Sequence, residues 1–277
     1  MTLNCRGRLL DLSNPVVMGI LNLTPDSFYD GGRLDSVDSA LHRAEEMLSE
    51  GAVVLDIGGA STRPGAIEVP EAAELKRVSQ AIAAIHNRFP EAILSIDTWR
   101  ANVAREAMAA GASIINDISA GKLDDGMYPL AGALSGTPYI LMHMQGTPQM
   151  MQQNPVYEDV VQEVLDFFVT EVGRLRALGV SDIILDPGFG FGKTVSHNFQ
   201  LLKNLHVFSN VLGLPTLAGI SRKSMICKAL QVKPAFALNG TTALHMVALE
   251  QDARILRVHD VREAWEVIRL WEELQQV

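Results

Sequence analysis

The sequence predicts an α/β protein, a (β/α)8 or TIM barrel in one domain spanning residues 1–277. Three observations predict it. Eight short runs rich in Ile, Val and Leu recur along the chain, a polar residue closes each, and helical patterns lie between them. Runs of this kind read as strands buried on both faces, and alternation with helices demands parallel pairing through crossovers. With polar groups at the same end of every strand, closure gathers them at one mouth, the face on which such barrels carry their chemistry.

The runs are Val16 to Leu21, Val53 to Leu55, Ile93 to Ile96, Ala112 to Ile115, Pro138 to Met142, Ile183 to Leu185, Pro215 to Ile220 and Arg254 to Val258. Their closing residues include Asn22, Asp56, Asp97, Asn116, His143, Asp186, Ser221 and His259. Residues 34–50 place Val37, Leu41, Ala44 and Leu48 at helical spacing, and Gly51 stops the segment. A second helix follows Pro70, a third covers 158–178, and the last covers 261–274 with Trp265 and Trp271. Leu3 to Leu12 precedes the first run and is expected to form a small hairpin plugging the barrel base. The loops from Thr24 to Arg33 and from Gly58 to Pro70 are rich in Gly, Pro, Ser and Asp and fall at the mouth.

A chain of 277 residues matches the typical barrel of roughly 250. The net charge of -9 argues against nucleic acid and anionic membrane as partners, while leaving room for an anionic small substrate. No apolar stretch approaches a membrane span, and Met1 to Arg8 lacks a signal-peptide core, so the expected compartment is the cytoplasm. Cys5 and Cys227 stand far apart, outside any disulfide framework or zinc spacing.

Asp97, Asn116 and Asp186 each end a run and project toward the mouth. Two carboxylates and an amide suit a flat heterocycle with several N–H groups, although any one of them can instead cap a following helix. Arg63, Arg222, Lys223, Arg257 and His259 form a cationic set near the mouth. Arg257 and His259, two apart, share a face and can grip one anion, and Ser224 opens a helix. Gly188 to Thr194 (GFGFGKT) is not a P-loop, because Pro187 stands where that motif needs Gly. It reads as a Gly-rich turn with Phe189 available to wall a pocket. His143, between two methionines, is either a packed strand end or a catalytic His.

Seven segments in order carry a resemblance: Asn22 to Gly32 (NLTPDSFYDGG), Gly59 to Gly65 (GASTRPG), Ser95 to Thr98, Asn116–Asp117, Leu185 to Lys193, Ser221 to Ser224 and Arg257 to His259. Together they resemble the bacterial dihydropteroate synthases, from about Val17 to the C-terminus. The resemblance implies a transferase of folate synthesis, a target of sulfonamides, in which p-aminobenzoate displaces pyrophosphate from 6-hydroxymethyl-7,8-dihydropterin pyrophosphate through an SN1-like pterin cation. It implies Asp97, Asn116, Asp186, Lys223 and Arg257 around the pterin, and Asn22, Arg63, Arg257 and His259 around the pyrophosphate, with Mg2+ at Asn22. Phe28, Thr62, Pro64, Phe189, Lys223 and Ser224 would surround p-aminobenzoate. Asp97, Lys223, Asp30 and Arg63 would serve the chemical step. A homodimer is also implied. Position 60 is Ala where the family usually has Glu, and position 29 is Tyr where it often has Ser. Two alternatives share the expected barrel: a methyltetrahydrofolate-binding corrinoid methyltransferase and a non-catalytic pterin-binding paralogue. Both would lack a reason to keep the Ser221–Ser224 and Arg63 groups.

Overall fold

Two strands precede the barrel along the chain. In the computed structural model, which describes residues 1–23, 36–60, 69–146, 151 and 155–276, β1 (Thr2–Cys5) and β2 (Arg8–Asp11) pair antiparallel as the expected hairpin. Their alternation sends Leu3, Cys5, Leu10 and Leu12 to one face. These four pack against one residue from each barrel strand: Met18, Val54, Ile93, Ile114, Ile140, Ile184, Leu217 and Ile255. The hairpin therefore closes the base of the barrel with a dry apolar layer. Arg6 fastens it from outside, donating to the carbonyls of Met108 at 2.5 Å and Ala112 at 3.1 Å.

All eight expected strands form and close in sequence order. They are β3 (Val16–Asn22), β4 (Ala52–Gly58), β5 (Ile93–Asp97), β6 (Ile114–Asp117), β7 (Tyr139–Met142), β8 (Ile183–Asp186), β9 (Thr216–Ala218) and β10 (Ala253–Val258), every pair parallel. β9 is shorter than its apolar run, ending before Gly219 and Ile220.

The four helices named from periodicity appear as α1 (Ser36–Ser49), α2 (Glu71–Arg88), α5 (Val160–Ala177) and α10 (Val261–Gln275), with α3 (Ala101–Ala110) and α4 (Met127–Ala133) between. The β8–β9 crossover is split into α6 (Val195–Lys203) and α7 (His206–Leu212), and the β9–β10 crossover into α8 (Ser224–Leu230), a 3-10 turn (Pro234–Phe236) and α9 (Leu238–Glu250). Thr194 and His197 cap α6 reciprocally, which starts that helix directly after the Gly-rich turn. Trp271 packs on the core between barrel and helices, while Trp265 stays 42% exposed. Both cysteines are free. Among the described residues, no helix is long and apolar enough to cross a membrane.

Candidate active site

Strand side chains alternate, so the residues two steps above the apolar base layer also face the barrel interior. From β4, β5, β6, β8 and β10 these are Asp56, Ser95, Asn116, Asp186 and Arg257. Two further residues bring Asn22, Gly58 and Asp97, which lie in register across β3, β4 and β5. The interior thus changes from apolar to polar within two residues on five of the eight strands.

Arg257 organises this layer. Its Nε donates to Asp56 Oδ2 at 2.6 Å and its Nη2 to Asp97 Oδ2 at 2.5 Å. Asn116 Nδ2 donates to the same Asp56 oxygen at 3.0 Å. Burial works against the guanidinium, but the two carboxylates hold its pKa above the usual range. Burial raises the Asp97 carboxyl against the pull of Arg257. Asp186 accepts from the Gly188 backbone N–H at 2.8 Å, and burial raises it too, opposed first by Lys223. Lys223 donates to the Phe189 carbonyl, and burial lowers its ammonium to about 8. A Cβ placed on Gly219 would lie 3.8 Å from Lys223 Nζ and 3.9 Å from Asp186 Oδ2, so both groups flank one bare stretch of backbone.

The helix-capping alternative fails for the acceptor set: α3 after Asp97 and α4 after Asn116 have no side-chain cap, and α6 after Asp186 is capped by Thr194. Local turn work falls to Asp117, which accepts from Ser119, Gly121 and Tyr139. Asp97, Asn116 and Asp186 remain a convergent rim of acceptors. Beside them Ile118, Met142, Met144 and Met151 form an apolar wall with Trp99 and Phe191. Such a site takes a flat ring by its face and its N–H edge by the carboxylates.

Several sequence expectations need correction. Phe189 does not wall the mouth: its ring is 0% exposed within the core between barrel and helices. Phe191 takes that place, with Lys223 Nζ 4.8 Å from its ring centre. The reason is backbone hand. Gly188 and Gly192 have φ of +69° and +63°, and a Cβ on them would lie 1.9 Å from the His143 carbonyl and 2.4 Å from that of Gln145. The turn packs where only glycine fits, and residues two apart no longer share a face. Arg222, placed in the cationic set, points away from the mouth and forms a bidentate pair with Asp260 at 2.7 and 2.8 Å. Arg257 and His259 both reach the mouth: Arg257 faces the carboxylates, and His259 Nδ1 lies 3.0 Å from Ser221 Oγ. His143 is a buried neutral imidazole, lowered to about 2 by burial and then by Lys193 and Lys122.

Ser224 begins α8 as expected and borders a cavity of about 400 Å³ together with Thr194, Asn198 and Lys228. Phe28, Tyr29, Asp30, Thr62, Arg63 and Pro64 lie outside the described residues. Asp56 closes a run but carries no role in the sequence reading; its inward alternation with Val54 is the signal that finds it.

A barrel with an acceptor rim, a cationic flank and an aromatic wall is a binding site for a flat nitrogen heterocycle at a barrel mouth. A family model described as pterin binding enzyme matches residues 18–259. A dihydropteroate synthase of Escherichia coli is 47% identical over 274 residues, covering 98% of this chain and 96% of that protein. A Yersinia pestis dihydropteroate synthase solved in a sulfonamide drug complex superposes with a TM-score of 0.93 at 46% identity, covering 100% of both chains. One from Xanthomonas albilineans solved with 7,8-dihydropteroate gives 0.90 at 38% identity, again over 100% of both. The chain belongs to the dihydropteroate synthase family of pterin-binding enzymes.

Proposed function

We propose that this chain joins p-aminobenzoate to 6-hydroxymethyl-7,8-dihydropterin pyrophosphate, giving 7,8-dihydropteroate and pyrophosphate. One observation carries the reading: Asp97, Asn116 and Asp186 converge as acceptors at strand ends, with Lys223 and Arg257 between the carboxylates. That set matches the N–H edge of a pterin and leaves the mouth cations facing a diphosphate.

The arylamine is a neutral nucleophile at neutral pH and needs no strong base. The C–N bond forms at the pterin methylene, the C–O bond to pyrophosphate breaks, and the amine proton passes to solvent. The dihydropterin ring supports an SN1-like path because it can carry positive charge at that carbon. Asp97, or Asp30 from the first loop, stabilises the cation; Arg63 and His259 address the departing pyrophosphate. The donor chemistry at Asn22 fits Mg2+, because a Cβ on Gly58 would lie 3.7 Å from both Asn22 Oδ1 and Asp97 Oδ2, two hard oxygens at the rim. Mg2+ commonly takes few protein oxygens and completes its shell with phosphates and water. When bound it would offset charge on the pyrophosphate. Ser224, Lys223, Thr62, Pro64 and Phe28 are assigned to p-aminobenzoate, with Phe191 replacing Phe189. Sulfonamides are expected to compete there, since Thr62 to Gly65 carries no insertion. The homodimer and the cytoplasm complete the reading; exposed Phe236, Leu230 and Val247 on the side helices supply apolar surface for a second copy.

The test is pyrophosphate release from the dihydropterin pyrophosphate with Mg2+, with and without p-aminobenzoate, alongside product mass. Arylamine-dependent release with a product of dihydropteroate mass supports the reading. Tight pterin binding without that product would favour the methyltransferase or the non-catalytic paralogue.

A further inference from the structure

Lys193 ends the Gly-rich turn after β8, and the proposed reaction gives it no task. It is 4% exposed. Its ammonium donates to the carbonyls of Phe191 at 3.0 Å, Gly188 at 3.1 Å and His143 at 3.2 Å, and lies 2.9 Å from His143 Nδ1. Three carbonyls and a neutral imidazole thus converge on one ammonium, which burial lowers to about 7 against the pull of Asp186. A buried charge is costly unless its partners replace water, and here all the partners belong to one turn and the strand end beneath it.

That turn holds the mouth together. Its first N–H, on Gly188, fixes Asp186; its Phe189 carbonyl fixes Lys223; its Phe191 ring lies beside the Lys223 ammonium. Asn198 secures the far side, accepting from the Gly190 N–H at 2.7 Å. Without the Lys193 cation, carbonyls would face one another across the turn with no donor between them, and a buried acceptor left without a partner destabilises its local arrangement.

We propose that Lys193 is a positioning residue: its ammonium, caged by the turn's carbonyls, sets Phe191 and Lys223 for p-aminobenzoate without touching either substrate. The inference rests on the function proposed above. The pterin rim shares Asp186 and Lys223 with this turn, but Asp97, Asn116 and Arg257 stand on other strands and hold one another through Asp56. The larger defect from losing the cage therefore falls on the arylamine. Lys193 also lines the cavity of about 400 Å³ beside Ser224, the side from which a small cation would enter the position that Lys193→Ala vacates.

The experiment uses the full chain with Lys193→Ala and Lys193→Gln, read by steady-state kinetics in both substrates and by titration of p-aminobenzoate onto the pterin-loaded protein. In Lys193→Ala, KM for p-aminobenzoate is expected to rise about tenfold, as for other supports behind a binding site, while KM for the pterin pyrophosphate rises by about threefold at most. Ammonium chloride, compared with sodium chloride at equal ionic strength, is expected to recover part of the loss in Lys193→Ala and none in wild type. Lys193→Gln, which keeps a donor but no charge, is expected to fall between the two. Equal rises in both KM values, or no response to ammonium in a folded variant, would overturn the inference. So would a fall in kcat with both KM values unchanged, which would put Lys193 in the reaction itself. A wild type that binds both ligands but gives no product sinks the reaction proposed above and not this inference. The arylamine titration with and without ammonium still decides it.

Discussion

The two ends of the barrel interior are made from the same strands and differ in every chemical respect. At the base, one apolar side chain from each strand meets four from the β1–β2 hairpin, and the layer is dry. Two residues further along, Asp56, Asn116, Asp186 and Arg257 occupy the same inward position. The base stabilises through burial of apolar surface, about 25 cal/mol per Å². The mouth keeps desolvated charges that burial pushes toward their neutral forms, as the raised Asp186 and the lowered Lys223 record. Stability and function are thus separated along the barrel axis by a few ångströms of strand.

The comparison can be broken most directly by exchanging the chemistry. Ile184→Asp puts a carboxylate with no partner into the base layer and is expected to cost about 4 kcal/mol or more, read from the urea unfolding midpoint. A variant as stable as wild type would mean the base is not a closed apolar layer. The converse change, Asp186→Asn, is expected to reduce kcat/KM by about a thousandfold while the unfolding midpoint stays level or rises. A large loss of stability with modest loss of activity would contradict the separation.

The turn over β8 sharpens it within one segment. Phe189→Ala is expected to cost about 3 kcal/mol of stability, because its ring is wholly inside the core. Phe191→Ala is expected to leave the midpoint within about 1 kcal/mol and to raise KM for p-aminobenzoate by several-fold. Reversed outcomes would restore Phe189 to the mouth.

The smallest expected effect is in acid. In the base layer the Cys5 thiol is raised by burial to about 12 and so stays neutral. At the mouth end, burial lowers His143 from 6.5 to about 2. As pH falls below 6.5, the unfolded chain takes up a proton that the folded chain refuses. His143 thus supports the fold fully above that pH, and this support is lost progressively as pH falls toward about 2. His143→Gln is expected to narrow the difference in unfolding midpoint between about pH 7 and about pH 5. An unchanged difference would remove His143 from the acid response.

Legibility followed the range of the interaction. The strands, their order and the inward facing of Asp97, Asn116 and Asp186 were readable because a run of apolar residues and the residue that ends it are local facts. Asp56 was visible as a run's last residue, yet its task was not, because the groups it holds come from Asn116 on β6 and Arg257 on β10. Phe191 takes the place expected of Phe189 because positive φ at Gly190 between them, and at Gly188 and Gly192 on either side, cancels the strand's period of two. Lys193 looked like a failed phosphate loop, and only the folded turn reveals its carbonyl cage.

By itself, then, the amino-acid order determined a parallel barrel with a plugged base, a polar mouth and a resemblance specific enough to name a family. Tertiary structure alone decided which cation faces which carboxylate, which phenylalanine stands beside Lys223 at the mouth, and that Arg222 braces Asp260. The physical reason is that periodicity is written into neighbouring residues, whereas a buried charge chooses its partner from whatever closure of the barrel brings within about 3 Å.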